Sequence, residues 1–379
     1  MRRVALLIET SRAYGRELLD GVRRHMGEGS TPWSVFAELR SLRTPLPPWL
    51  RDWDGDGILT RSGSPAMAEA VAATGLPAVE LRSSRTDHGL PFVGVDNRAL
   101  AELAAAHFLD RGFRHFGVYG LTTESFFEQR RDRFIEVVAD RGFDCATQMQ
   151  RGRERPREWD RQQSALVEWV RTLPKPCGVM ACTDQLGFWL LEACRVAGVG
   201  VPDEVAVLGV ENDETLAAIS TPPLSSVRLP GSRVGRRAAE LLDALMNGGS
   251  PPREPILLPP TQIATRQSTD VVAVDDPDLA AALRVIRERA TDGISVGDVL
   301  SEVAISRRLL ERKMRAAIGR TPRQEIERVR LERAKTLLVA TDLSLAAIAV
   351  RCGYEHPQRL SERFAARFGQ PPGAWRRER

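Results

Sequence analysis

The sequence predicts two architectures in one chain: a two-lobed α/β domain over residues 1–269, then an all-α module over residues 279–379. Three observations predict it. Apolar runs alternate with helical segments from Val4 to Val210, the pattern of a parallel sheet with right-handed crossovers. One pattern occurs twice in the last hundred residues, at an offset of 49 to 50. Charge separates the parts: residues 279–379 hold 21 Lys and Arg against 12 Asp and Glu, a net of +9, and the remainder carries −5. A basic module on an acidic body points to a polyanion, nucleic acid above all.

The elements follow in order. Val4 to Ile8 is an apolar run, as expected of a strand buried on both faces. A helix follows with Leu18, Leu19, Val22 and Met26 on one side. Trp33 to Leu39 reads as a strand, and so does Gly57 to Leu59 after an Asp/Gly-rich turn. Ala66 to Ala73 is a helix and Pro77 to Leu81 a strand. Phe92 to Val95 precedes an Ala-rich helix, Arg98 to Asp110. Strands are then expected at Phe116–Tyr119, Gly178–Ala181 and Val205–Val210. Helices are expected at Glu124–Arg141, Gln163–Leu173 and Leu186–Ala197. So long an alternation suggests two similar lobes, divided near Arg114–Thr122. The prolines at 251, 252, 255, 259 and 260 end the pattern. Residues 270–278 are expected to be a linker; in Asp275-Asp276-Pro277-Asp278, Asp276 is placed to cap the next helix with Pro277 at its first position.

The repeat spans residues 294–319 and 343–369. Ser295 matches Ser344, Val299 matches Ile348, Leu310 matches Leu360, Met314 matches Phe364 and Gly319 matches Gly369. One extra residue sits in the second copy's turn. Each copy reads as a short apolar helix, a tight turn and a basic helix, the helix-turn-helix layout. Thr321-Pro322-Arg323-Gln324 is a capping box opening the helix that joins them. That helix is expected to carry Ile326, Val329, Ala334 and Leu337 on one stripe. Gly353 falls at a turn where positive φ is useful.

The 42% hydrophobic content of the 379 residues suffices for ordinary cores. Five scattered cysteines, with no CxxC pair, fit reduced thiols in a cytosolic protein. The apolar run at Val4–Ile8 is too short for a secretory signal. No stretch approaches the roughly 18 apolar residues of a membrane helix. The expectation is a soluble cytoplasmic protein without a membrane partner.

Two resemblances follow from particular residues. Ile348-Ala349-x-x-Cys352-Gly353-Tyr354, with Phe364 and Phe368-Gly369-Gln370-Pro371, resembles the DNA-binding domain of AraC-family transcription regulators. The family's serine-rich turn after Gly-Tyr is replaced here by Glu355-His356-Pro357-Gln358-Arg359-Leu360. Residues 1–268 are similar to the effector domain of the lactose/galactose repressor family, a periplasmic-binding-protein-like (type I) fold. The stretches that carry this are Val93–Asn97, Arg130-x-x-Arg133-Phe134, Cys182–Gln185, Val201–Asn212 and Pro222–Val227. Repressors of that family carry an N-terminal headpiece, whereas this chain opens on a strand. The domain order, with Leu6-Leu-Ile-x-x-x-Arg12-Ala-Tyr14-x-Arg16, Tyr119-Gly120-Leu121 and Gln267–Asp270, resembles that of xylose operon activators. This implies a sugar-responsive activator of pentose genes, with xylose the first candidate. Homodimers, operator DNA and RNA polymerase are its implied assembly and partners.

Open α/β folds bind ligands beyond the carboxyl ends of their strands. Polar residues there give the ligand candidates Ser11, Tyr14, Asp96, Thr183, Asp184, Glu211 and Asn212, and Arg130 joins them from the helix after Tyr119, one turn before Phe134. Sugar hydroxyls both donate and accept, so carboxylates, amides and a guanidinium fork suit them. Tyr14 and Phe127 offer aromatic faces. Plainer alternatives exist: Asp96 or Asp184 as helix caps, Arg130 paired with Glu124 or Glu128, Tyr14 as packing. The DNA candidates are Ser306, Arg307, Arg308 and Arg312 from the first copy, and His356, Gln358, Arg359 and Arg363 from the second. The five histidines lack metal spacing, no cofactor is expected, and His107 and His115 are assigned to the surface or a strand end. An enzyme on the α/β lobes is the competing class. Against it, there is no P-loop, no complete Gly-x-Gly-x-x-Gly after a strand and no Gly-x-Ser-x-Gly elbow.

Overall fold

A computed structural model describes residues 1–28, 32–38, 40–41, 44–82, 89–122, 125–150, 156–260, 262–271, 276–341 and 343–377. The chain divides into two compact units, Met1–Asp270 and Val271–Arg379.

The first unit opens with β1 (Arg2–Leu7), α1 (Ala13–Gly27), β2 (Trp33–Ala37), β3 (Gly57–Thr60), α2 (Pro65–Ala72) and β4 (Ala78–Glu80). These strands form one parallel sheet in the order β2-β1-β3-β4. Next come β5 (Val93–Val95), α3 (Asn97–Leu109), β6 (His115–Leu121), α4 (Ser125–Ala139), β7 (Cys145–Gln150), α5 (Pro156–Thr172), β8 (Cys177–Ala181), α6 (Asp184–Ala197), β9 (Val205–Val210), α7 (Glu214–Ile219) and β10 (Ser225–Arg228). The unit ends with α8 (Gly231–Met246), β11 (Ile256–Leu258) and β12 (Gln262–Ala264). The second sheet runs β12-β10-β9-β8-β6-β7, parallel except for β12. β5 pairs with β11 and is bridged to β4 by Glu80 and Phe92, extending the first sheet.

The expected division at 114–122 is corrected: that stretch is β6, inside the second lobe. The chain instead crosses between lobes three times, before α3, before α8 and between β11 and β12. The sequence reading missed α8, whose return to the first lobe depends on two glycines. A Cβ on Gly235 would lie 2.0 Å from the Leu18 carbonyl oxygen, and one on Gly21 2.0 Å from that of Ser232. Only glycine lets α1 and α8 approach so closely. Leu39 at the end of the second expected strand, Glu124 at the start of the fourth helix, and Asp275 lie outside the described residues.

The second unit contains α9 (Pro277–Arg289), α10 (Val296–Glu302), α11 (Arg307–Ile318), α12 (Pro322–Ala340), α13 (Leu345–Arg351), α14 (Pro357–Phe368) and α15 (Pro372–Arg377). Asp276 caps α9 with Pro277 at its start, so residues 277 and 278 are helical rather than linker. The turn from α10 to α11 takes residues 303–306, and that from α13 to α14 takes 352–356, one residue more. The capping box at Thr321 and Gln324 forms as expected, and Gly353 has φ +73°.

The single stripe expected on α12 is corrected. Ile326 and Val329 pack into the core of the first copy with Val299, Leu310 and Met314. Leu331, Ala334, Leu337 and Leu338 pack into the core of the second with Ile348, Leu360 and Phe364. At roughly 100° per residue these two sets point about 120° apart, so α12 twists its apolar face from one copy to the other.

Candidate functional site

In each lobe of the first unit the strand order reverses beside its first strand: β1 lies between β2 and β3, and β6 between β7 and β8. Such switch points leave a crevice at the carboxyl ends of the strands. Glu9 follows β1 and Arg61 follows β3; the Arg61 guanidinium pairs with the Glu9 carboxylate and lies 5.3 Å from the centre of the Tyr14 ring. On the second lobe Arg130, from α4, lies 3.8 Å from a Glu211 carboxylate oxygen and donates to the Cys182 carbonyl oxygen. Its guanidinium sits 5.0 Å from the centre of the Phe126 ring. Burial raises the Tyr14 phenol, the charges of Arg61 and Arg130 lower it, and those of Glu211 and Glu9 add to the rise.

All four charged side chains are 7% exposed or less. Burying charge is costly unless it is paired and hydrogen-bonded. Here the ion pairs form but the hydrogen bonding is incomplete: among the described residues, Glu9 Oε2, Arg61 Nε and Arg130 Nε are buried without a partner. Buried polar groups are nearly always satisfied, and exceptions mark sites.

Of the residues expected from sequence, Tyr14, Arg130 and Glu211 come together here, and Asn212 follows Glu211 with its amide oxygen on Arg266. Arg130 pairs with Glu211 rather than with Glu128; Glu124 lies outside the described residues. Asp96 is a cap: its carboxylate accepts from the Arg98 and Ala99 amides at 2.9 and 3.0 Å. Thr183, not Asp184, caps α6. Asp184 is wholly buried and accepts from the Asp213 amide and the Ser226 hydroxyl, which itself accepts from the Asn212 amide at 2.9 Å. Its role is to hold the turn carrying Glu211 and Asn212, whose φ values of 109° and 55° are unusual for non-glycine residues. Burial raises the Asp184 carboxyl well above its ordinary range. Ser11 is exposed in the turn before α1, and Phe127 is a core residue, the ring beside Arg130 being Phe126.

Sequence reasoning missed Glu9, Arg61, Phe126 and Arg266. The signal for the first two is present in the sequence, since Glu9 directly follows the Val4–Ile8 run and Arg61 directly follows β3. Arg266 donates from Nη2 to Asn212 Oδ1 at 2.9 Å, and its backbone amide donates to Ser225 Oγ at 2.7 Å. Ser225 Oγ accepts from Thr269 Oγ1, which meets His107 Nε2 at 2.8 Å. The Thr269 hydroxyl is spent on Ser225, so His107 donates. His107 is thus buried, not a surface residue, and burial, with Arg111 beside it, pushes its imidazole down to about 3. His115 is exposed at the start of β6. This chain of hydrogen bonds runs from Asn212 to the last residues of the first unit. Among the described residues no group of His, Cys, Asp and Glu could hold a metal ion.

In the second unit α11 and α14 present basic faces. Arg307, Arg308, Arg312, His356, Gln358, Arg359 and Arg363 are exposed. Ser306 is exposed but serves as the cap of α11, accepting from the Leu309 amide. His356 stands in the same place before α14 without a side-chain cap bond, and Pro357 opens that helix. Arg307 lies 3.3 Å from Glu311, and Arg363 lies 3.6 Å from Glu327 on α12. A groove of about 1210 Å³ between the copies is lined by Arg307, Arg320, Arg323, Arg359, Arg363 and Arg367 among others. Arg330 on α12 ties the copies together: it donates to the Ala290 and Ile294 carbonyl oxygens and lies 5.8 Å from the centre of the Tyr354 ring. The 19 residues of α12 span roughly 28 Å, near the roughly 34 Å of one DNA turn.

Comparisons with known proteins agree with both halves. Residues 105–269 match a family model described as a periplasmic binding protein-like domain, and residues 299–378 match one described as a helix-turn-helix domain. The xylose operon regulatory protein of Haemophilus influenzae is 30% identical over 99% of this chain and 98% of its own. That of Escherichia coli K12 is 31% identical over 99% and 96%. A solved structure of a xylose-binding transcription activator superposes with a TM-score of 0.78 at 30% identity, covering 99% of this chain and 98% of that one. No described helix is long and apolar enough to cross a membrane. With its sugar-binding-type α/β unit and its paired helix-turn-helix copies, the chain belongs to the family of xylose operon regulatory proteins, DNA-binding transcription regulators and not enzymes.

Proposed function

We propose that this chain takes a neutral monosaccharide, xylose first among candidates, between the lobes of residues 1–269, and passes that event through the segment before α9 to the helix-turn-helix unit that begins at Pro277. Tyr14, Arg130, Glu211 and Asn212 hold the sugar, Asp184 braces the turn that carries Glu211 and Asn212, and Thr183 caps α6. The observation that carries this reading is the set of buried, unpartnered donors and acceptors contributed by both lobes, Glu9 and Arg61 after strands of the first and Arg130 on α4 of the second. Binding shifts the chain towards its DNA-competent state by differential affinity, so operator DNA tightens sugar binding by the same factor. Arg307, Arg308 and Arg312, with His356, Gln358, Arg359 and Arg363, face the DNA. Activation of pentose genes as a cytoplasmic homodimer that engages RNA polymerase completes the reading.

Calorimetry on the full chain tests it. D-Xylose binds the wild type, and Arg130→Ala weakens binding by on the order of 2 kcal/mol, the worth of a lost charged hydrogen bond. Unchanged affinity in Arg130→Ala removes the cleft from the site. Equal sugar affinity with and without operator DNA removes the coupling.

A further inference from the structure

We propose that Glu9 and Arg61 set ligand specificity: with Arg130 and Glu211 they form a charge-balanced cage that admits a neutral polyol and rejects its anionic derivatives. This rests on the sugar site proposed above. The two pairs come from different lobes, Glu9 and Arg61 after β1 and β3, Arg130 and Glu211 after β6 and β9. Two guanidinium groups and two carboxylates sum to zero, and each cation already has its counter-ion. A carboxylate or phosphate on the ligand finds no uncompensated cation there and brings a buried net charge, which is costly. A hydroxyl meets the opposite situation. The unpartnered atoms include an acceptor, Glu9 Oε2, and two donors, Arg61 Nε and Arg130 Nε, and a hydroxyl can answer both kinds.

Glu9 is also held in place from behind. A Cβ on Gly15 would lie 2.0 Å from the Glu9 carbonyl oxygen and 3.0 Å from its Oε1. The first turn of α1 therefore packs directly on Glu9, and the fixed carboxylate keeps Arg61 beside Tyr14.

The test measures the affinity of the full chain for D-xylose and for D-xylonate, the same skeleton with a carboxylate at one end. The wild type prefers xylose by at least about 100-fold, roughly the effect of one uncompensated charge. Glu9→Gln leaves Arg61 without its counter-ion, and the preference falls at least about tenfold as xylonate gains. The double variant Glu9→Gln/Arg61→Gln restores the charge balance and moves the preference back towards the wild type. Arg61→Gln alone gives the opposite sign, binding xylonate even less, and serves if Glu9→Gln does not fold by thermal melting. A preference within twofold of the wild type in whichever single variant folds overturns the assignment. A wild type that binds xylonate as tightly as xylose overturns it too, leaving the sugar site itself standing. A wild type that binds neither xylose nor any other neutral pentose overturns both.

Discussion

In the first unit the charges of the proposed site lie inside: Glu9, Arg61, Arg130 and Glu211 are all buried. In the second unit the arginines of α11 and α14 stand in solvent, with ion pairs such as Arg307–Glu311 on the surface. The same residue types therefore do different work. A buried charge cannot be screened by salt and is costly to leave unpaired, so it fixes geometry and selects a ligand. A surface charge contributes little to stability, yet it is free to meet a polyanion and to release counter-ions when it does. One chain thus separates recognition by fit from recognition by field.

The largest expected effect tests that separation directly. Raising salt from 50 to 200 mM should lower operator affinity on the order of 10³-fold if about six phosphates are contacted. Sugar affinity should change less than about twofold, since its charges lie out of reach of screening ions. A sugar affinity that falls with salt as steeply as DNA affinity would end the comparison.

Stability gives the next contrast. Asp184→Ala strands the buried Asp213 amide and Ser226 hydroxyl and should destabilise the first unit by about 3 kcal/mol in denaturant unfolding. Arg363→Ala, at the surface, should change stability by less than about 0.5 kcal/mol. Similar values for both would show that the burial of Asp184 does not matter to the fold.

Within the second unit, the comparison sharpens to α11 against α14. The core positions of the repeat are equally buried: Val299, Leu310 and Met314 in one copy, Ile348, Leu360 and Phe364 in the other. The difference lies at the entrance to each basic helix, Ser306-Arg307-Arg308 against His356-Pro357-Gln358-Arg359. Arg307→Ala should cost roughly 1–3 kcal/mol at one base position in footprinting. Arg359→Ala should do the same at a position one helical turn away. If its loss is instead uniform across operator sequences, the second copy is a backbone clamp.

The effect that accrues most gradually, pH unit by pH unit, is that of acid on stability. Burial holds His107 near 3 in the folded first unit against an ordinary 6.5. The unfolded chain therefore takes up a proton below about 6.5 that the folded unit refuses. Stability is complete above that value and falls as the pH drops towards 3, by at most about 1.4 kcal/mol per pH unit. His107→Gln, which keeps a donor for Thr269, should flatten this slope in thermal melts. An unchanged slope would assign it to other groups.

Local chemistry made much of the molecule legible before any coordinates. The alternation of strand and helix, the caps at Asp276 and Thr321, and the longer second turn depend on residues a few positions apart. The repeat was legible because each copy needs its own apolar core, whichever face it shows to solvent. The strand-end rule pointed to Glu211 and Asn212, which directly follow β9, because a parallel sheet puts its loops at one edge.

What the sequence left open depends on distance along the chain. Arg61 meets Glu9 across 52 residues and Arg266 meets Asn212 across 54, pairings set by strand order and not by spacing. Asp184 and Asp96 look alike in sequence, each a carboxylate after a strand. Only packing makes one a half-buried cap and the other a fully buried brace. The return of α8 to the first lobe needed two glycines more than two hundred residues apart to meet. And α12 reads as one stripe until its two ends are seen to serve different cores. Periodicity and capping are decided within a turn or two of the chain, so the sequence carries them. Which buried charge finds which partner is decided by the fold that encloses them, because only burial makes an unpaired charge costly enough to choose.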